Sequence, residues 1–369
     1  MFIRRDFGTF VPERNFFTFI YNMRIVRFFA VVLGISFGTA FSSAAQNTCD
    51  SDLCGERLVQ EVSQLKTRVA SIGDIVSKLP KISGYAQLGY QLSDQVSAFE
   101  VRSVRLSFAG DLGRKFDYKF QFEFASPRLV DAFIRYKMNR TFNVQFGQYL
   151  VPFGIEGPMS VLDLETIANA AAVKDICNTP DQRDIGLQFS GEFLPRDGFS
   201  IINYAVGVFN GEGKNTADAN TSKDVMGRLN IKPMRQLTLS GSFSYGELSE
   251  TYIKNTRYAA GVQWRGDHLL LRSEYLSRNT NTAGIEQLTD GGYVLAGWYC
   301  GNSTICPLVR YGWYDTHMDG KSSQQSSYLV GVDYHPWRHI RLQANYTYTT
   351  YANSDNNSGL FALQITGIF

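Results

Sequence analysis

Nine cations recur at positions that alternate with apolar side chains along the chain: Arg105, Lys115, Lys119, Arg135, Arg228, Arg257, Arg272, Arg310 and Arg341. Guanidinium and ammonium groups facing water inside a protein hold passing oxyanions through charge-assisted, partly bidentate hydrogen bonds. Several stations of moderate strength suit conduction better than one deep pocket, because a permeating ion must also leave. Carboxylates share the same faces, at Asp131, Asp184, Glu274 and Asp333, and Glu274 lies two residues from Arg272. An opposite pair 4 Å apart interacts by about 4 kcal/mol at an effective dielectric of 20, enough to neutralise an anion site. Two readings therefore stand side by side: the nine are anion contacts, or they are cross-braces paired with acids.

Other chemistry is thin. His335 and His339 are four apart but fall on a short turn between strands, where a metal site is not expected and Trp337 with Arg338 reads as an interfacial anchor. No nucleophile elbow, phosphate loop or paired-cysteine zinc pattern occurs. The glycine-rich Asn210–Lys214 is too short to cradle a nucleotide. The chain is read as a non-enzyme with no cofactor and no metal. Of five cysteines, Cys300 with Cys306 and Cys49 with Cys54 are close enough in sequence to be disulfide candidates in an exported protein.

What must position the cations is a set of strands. On 115–125 the residues Phe116, Tyr118, Phe120, Phe122 and Phe124 share one face, and Lys115, Asp117, Lys119, Gln121 and Glu123 share the other. At the C-terminus Phe361, Leu363, Ile365, Gly367 and Phe369 oppose Ala362, Gln364, Thr366 and Ile368. A Lys or Arg on the lipid face of a barrel costs about 2–4 kcal/mol at the bilayer midplane. The charged face therefore lines water and the aromatic face meets lipid, and a closed sheet leaves no backbone edge unpaired in hydrocarbon. The alternation recurs sixteen times from residue 82 to 369, which predicts an all-β fold: a sixteen-stranded antiparallel transmembrane β-barrel. Aromatics make up 14% of the residues, matching two interfacial girdles. A mean hydropathy of −0.17 is what strands with one polar face produce.

Connectors alternate between short turns and longer polar loops, including 211–222, 246–254, 279–287, 316–324 and 351–357. Short turns on the periplasmic side and long loops outside are the expected asymmetry, with both chain ends periplasmic. The longest connector, 150–182, is expected to fold inward and narrow a pore. Its charges, Lys174 and Arg183 against Glu156, Asp163, Glu165, Asp175, Asp181 and Asp184, make it acidic.

Residues 1–45 read as an export signal, with an apolar run at 28–41, basic residues before it and cleavage before Gln46; Met23 is an alternative start. This segment carries +3 of the chain's net +2, so the remainder stands at −1, and the basic pI implies no nucleic-acid partner. In the segment 46–80, Leu58, Val62, Leu65, Val69, Ile72, Val76 and Leu79 form a heptad seam. It predicts a periplasmic helix, lying on the barrel or joining subunits as a coiled coil.

Four stretches resemble landmarks of the phosphate-selective porin O and P family: Glu100–Leu106, Asp131–Tyr136, Gly147–Glu156 and Asn203–Gly213. The resemblance spans residues 82–369 and is most specific at Gly147–Glu156. It implies a sixteen-stranded trimeric outer-membrane channel, in some members passing phosphate along lines of Arg and Lys. Ser103 and Leu150 stand where family members often have Arg and Lys, which weakens the phosphate expectation. The reading is a porin passing small hydrophilic solutes, with outer-membrane lipid, small anions and two further copies of itself as partners. The alternative is a plugged barrel serving as an adhesin or structural protein.

Overall fold

The computed structural model describes residues 79–177, 182–218, 220–248, 253–282, 284–300, 304–318, 321–352 and 354–369, together with residue 60 and residues 62–68. The export signal, Cys49 and Cys54 lie outside the described residues. Within a first unit, Met1–Ser77, residue 60 and residues 62–68 are helical, and Val62 and Leu65 of the heptad seam are exposed.

The second unit, Lys78–Phe369, is a barrel. Its strands are β1 (Lys81–Ser93), β2 (Ser97–Leu112), β3 (Phe116–Glu123), β4 (Arg128–Lys137), β5 (Asn143–Leu150), β6 (Arg183–Arg196), β7 (Phe199–Phe209) and β8 (Asp224–Met234). They continue as β9 (Leu237–Leu248), β10 (Ile253–Arg265), β11 (Leu269–Thr282), β12 (Ile285–Trp298), β13 (Ile305–Met318), β14 (Lys321–Trp337), β15 (Ile340–Tyr351) and β16 (Ser354–Ile368). Each pairs antiparallel with its sequence neighbours, and β1 closes on β16 from Tyr85↔Ile368 to Ser93↔Leu360. Phe369 completes the seam by exchanging backbone hydrogen bonds with Gly84 at 2.8 and 2.9 Å.

Side-chain alternation sorts the faces as the period-two pattern dictates. On β3, Phe116, Phe120 and Phe122 are exposed on the outside, whereas Gln121 and Glu123 are buried within. On β16, Leu363 and Ile365 are exposed, and Gln364 and Thr366 are buried. Polar side chains thus make the interior and apolar ones the exterior, the inverse of a water-soluble sandwich.

Four of the long outer loops are shorter than the sequence predicts. β11–β12, β13–β14 and β15–β16 keep pairing up to Thr282↔Ile285, Met318↔Lys321 and Tyr351↔Ser354, and β9–β10 up to Leu248↔Ile253. Most of these tips are rich in Ser, Thr, Asn and Gln, so little apolar alternation marks them, yet the backbone ladder continues. Loop 150–182 behaves differently. It enters the barrel, where Val151, Phe153, Ala172, Val173 and Ile176 pack with the inward-facing Met226, Leu270, Leu276, Tyr293 and Leu295 in one buried cluster.

Candidate functional site

The inward loop, here called loop three, is held along the inner wall from β8 to β15. Its short helix, Ala171–Ile176, buries Ala172, Val173 and Ile176. Arg278 on β11 fixes the far end of that helix, donating to the Asp175 carboxylate at 2.6 Å and to its carbonyl at 2.9 Å. The Tyr314 hydroxyl reaches the same carboxylate at 2.9 Å. Arg272 donates to Glu165 at 2.8 Å and stands 3.9 Å from Glu156, and Arg265 also binds Glu165. Arg310 donates to the Thr166 hydroxyl at 3.2 Å and the Ala168 carbonyl at 2.9 Å, and its guanidinium stands 3.8 Å from Glu156. Arg341 binds the carbonyls of Leu162, at 2.8 Å, and Leu164 while its Nε pairs with Asp333 at 2.7 Å. Arg228 donates to the Gly154 carbonyl at 3.2 Å.

Glu274 completes this fixation. The pairing with Arg272 that their spacing allows does not form. Glu274 instead accepts the backbone N–H groups of Ile155 at 2.7 Å and Glu156 at 3.2 Å, and the Tyr293 hydroxyl at 3.3 Å. Gly154 sits with φ +78°, and a Cβ there would meet the Glu274 carboxylate at 2.5 Å, so the tight approach requires glycine. Burial holds the Asp163 carboxyl above the ordinary carboxylate range, with Arg265 and Arg341 opposing the shift. Burial likewise pushes the Cys177 thiol up. Arg257 is fully buried against Asp224, the Ser244 hydroxyl and the Phe153 ring.

The remaining candidates lie on the opposite wall. Arg105 pairs with Glu123 at 3.0 Å, Lys119 with Asp131 at 2.7 Å and Arg135 with Asp117 at 2.7 Å. Arg183 shares Asp131 at 2.7 Å. In each of the first three pairs the cation is the more exposed partner: 12% against 3%, 35% against 5%, and 41% against 16%. Arg102 reaches across the closure seam to Gln364 at 3.2 Å; Gln364 binds Gln343, whose amide donates to the carbonyls of Leu164 and Glu165.

Two sequence expectations need correction. Lys115 belongs to the β2–β3 turn, exposed beside the Tyr136 ring, and not to the channel wall. Cys300 and Cys306 are both free thiols. Cys300 bridges Ile305, whereas Cys306 lies opposite Asp333 and is buried inward. Since consecutive strand residues point to opposite faces, the two sulfurs are on opposite sides of the sheet and cannot join without backbone movement. Arg265, Arg278 and Gln343 were not singled out by sequence, because only the path of loop three brings them partners. His335 turns to Asp333 and His339 to the Ile368 carbonyl, and no described group of three His, Cys, Asp or Glu could hold a metal.

Residues 82–257 match the family described as phosphate-selective porin O and P. That stretch is just under half of the chain, and over it the chain is similar to that family. No curated protein matches the sequence. Among solved structures, the barrel is similar to an anion-selective porin from Comamonas acidovorans, with 13% identity and a TM-score of 0.62 over 79% of this chain and 99% of that one. It is similar also to the trimer form of OmpT, an outer membrane protein of Vibrio cholerae, with 11% identity and a TM-score of 0.63 over 79% and 99%. The outer membrane channel DcaP of Acinetobacter baumannii gives 13% identity and a TM-score of 0.59 over 79% and 97%. At such identities the likeness is one of fold. The match over residues 82–257 and the closed barrel support an outer-membrane channel.

Proposed function

We propose that this porin passes small hydrophilic solutes by diffusion, with a modest preference for anions, as a homotrimer and without chemistry of its own. The observation that carries the preference is the burial asymmetry of the ion pairs on the β2–β4 wall. Along Arg105–Glu123, Lys119–Asp131 and Arg135–Asp117 the carboxylate is set into the wall and the cation faces the water. The charges cancel in sum, but a solute in the lumen meets the cation first, at shorter distance and with less screening. The pair Lys137–Asp111 at the turn end of the strands has the opposite order, at 40% and 71%. Phosphate selectivity finds less support. Most of the strand arginines that could have formed a ladder instead bind loop three, the acids Glu156, Glu165 and Asp175 among their partners.

The test is a planar bilayer. Discrete conductance steps are expected, with a reversal potential in a potassium chloride gradient shifted toward chloride. Lys119→Gln with Arg135→Gln should reduce that shift. Silence at every voltage would overturn the channel and favour a barrel plugged by loop three; a potential unmoved by the double substitution would overturn the assigned wall.

A further inference from the structure

The glycine-rich stretch Asn210–Lys214, which the channel reading leaves without a role, runs from the end of β7 back over the outer ends of β6, β5 and β4. Its first anchor is on β6. The Asn210 N–H donates to the Ile185 carbonyl at 3.0 Å and the Gly211 N–H to the Asp184 carboxylate at 2.6 Å. The second anchor follows directly after the stretch, at Asn215, and is on β5 and β4. The Asn215 N–H donates to the Gln148 side-chain carbonyl at 2.6 Å, and the Gln148 amide returns a bond to the Asn215 side chain at 3.3 Å. The Asn215 amide donates to the Leu129 carbonyl at 2.9 Å. Gly211, Gly213 and Asn215 take positive φ (91°, 83° and 57°), which turns the chain between the two anchors at residues that tolerate that conformation.

Both anchors are rungs at the base of loop three. The register pairs Gln148 with Ile185, Tyr149 with Asp184 and Leu150 with Arg183, and the Val151 N–H then closes the two stems on the Gln182 carbonyl at 2.9 Å. One anchor thus grips the stem that enters loop three and the other the stem that leaves it. Asp184 is fully buried and Gln148 nearly so, and releasing the segment would leave a buried carboxylate and a buried amide each short of a donor. The segment also rests on a support of loop three itself. A Cβ on Gly211 would meet the Asp224 carboxylate at 2.9 Å, and Asp224 pairs with Arg257, whose guanidinium covers the Phe153 ring at 5.5 Å. We propose that Asn210–Asn215 is a strap that clasps the two stems of loop three, so that the outer loop between β7 and β8 sets how firmly the constriction is held. The proposal rests on the channel reading. The wall arginines fix the body of loop three, whereas the strap fixes its base and reaches the outer surface, where Asn215 and Thr216 are exposed. Displacing the strap from outside therefore loosens the constriction without any contact in the lumen.

Two readouts test it, single-channel current and amide hydrogen exchange at Val151. Asn215→Ala removes the side-chain half of one anchor, and Asp184→Asn turns an acceptor of the other into a donor. Each should raise the frequency of brief current transitions about tenfold, as expected for one lost hydrogen bond to a buried group, and should quicken exchange at Val151 while Val330 on β14 exchanges as before. Asn281→Ala is the control: it removes the bond from the Gly284 N–H at 3.1 Å in the β11–β12 tip, which has no route to loop three, and should leave both readouts at their wild-type values. If Asn215→Ala and Asp184→Asn conduct quietly and exchange Val151 at the wild-type rate, the strap is overturned and the channel reading stands. If the wild type passes no current, the channel reading falls, and unchanged exchange at Val151 in the two variants would overturn the strap separately.

Discussion

Each arginine of the inner wall is defined by which acid or carbonyl it meets, and the sequence alone could not supply that. Arg272 and Glu274 were legible as inward-facing neighbours, since β11 alternates Leu269, Leu271 and Ser273 with Leu270, Arg272 and Glu274. Their partners come from residues more than a hundred positions away, Glu165 and the Ile155–Glu156 backbone. The cysteines show the same limit at closer range: spacing made Cys300 and Cys306 candidates, and strand parity separates them. With Cys49 and Cys54 replaced by serine, denaturation without reductant should yield three maleimide-reactive thiols per chain, from Cys177, Cys300 and Cys306. In the folded protein Cys177 should stay unlabelled, being fully enclosed with a raised thiol pKa. A yield of one thiol after denaturation would mean that the Cys300–Cys306 bond forms after all.

At the scale of elements, all sixteen strands were readable because the membrane enforces a period of two wherever it touches them. Reading failed where that enforcement stops. The tips of β9–β16 extend the ladder into polar sequence, whereas loop three, expected from its length to fold inward, has no period that could say where along the wall it rests. Its place in the lumen follows from apolar residues such as Phe153, Val173 and Ile176 finding a wall that is itself partly apolar at Leu270, Leu276 and Leu295. The ion pairs then fix where along that wall the loop rests. Glu165 is central to this, since it joins Arg265 and Arg272 from adjacent strands. Glu165→Gln leaves Arg272 buried without its closest carboxylate, and removing one partner of a buried pair costs about 3–5 kcal/mol. That loss should fall on the loop and not on the barrel. Single-channel records of Glu165→Gln should flicker and loop three should become protease-sensitive, while the sheet signal in circular dichroism stays unchanged. A quiet, protease-resistant variant would show that the apolar cluster alone seats the loop.

Across the whole molecule the wall is uneven in height. β3 and β5 have 8 residues each and β4 has 10, whereas β13, β14 and β16 have 14, 17 and 15. A membrane-crossing strand needs about 9–11 residues, so β3 and β5 fall short of that height while β4 just meets it. The outer surface of the β3–β5 sector is nonetheless apolar, with Ile134 and Phe146 directly opposite each other at 46% and 65% exposure, and Phe120 and Phe122 beside them. A neighbouring subunit would cover such a sector better than lipid chains, so the proposed trimer would make its contact there. Ile134→Lys with Phe146→Lys separates this contact from the heptad seam of the segment 46–80, the other candidate for joining subunits. Neither position touches the lumen, so the barrel should still close and remain heat-modifiable on a gel. Lysine on an apolar outer face carries a cost of about 2–4 kcal/mol when lipid surrounds it, and a larger one when three copies must bring six ammonium groups together around one axis. On the proposed assembly the wild type should run as a trimer and the double variant as a folded monomer, with removal of residues 46–79 having the smaller effect. If the double lysine variant stays trimeric and the truncated chain does not, the heptad seam, not the short wall, holds the subunits together.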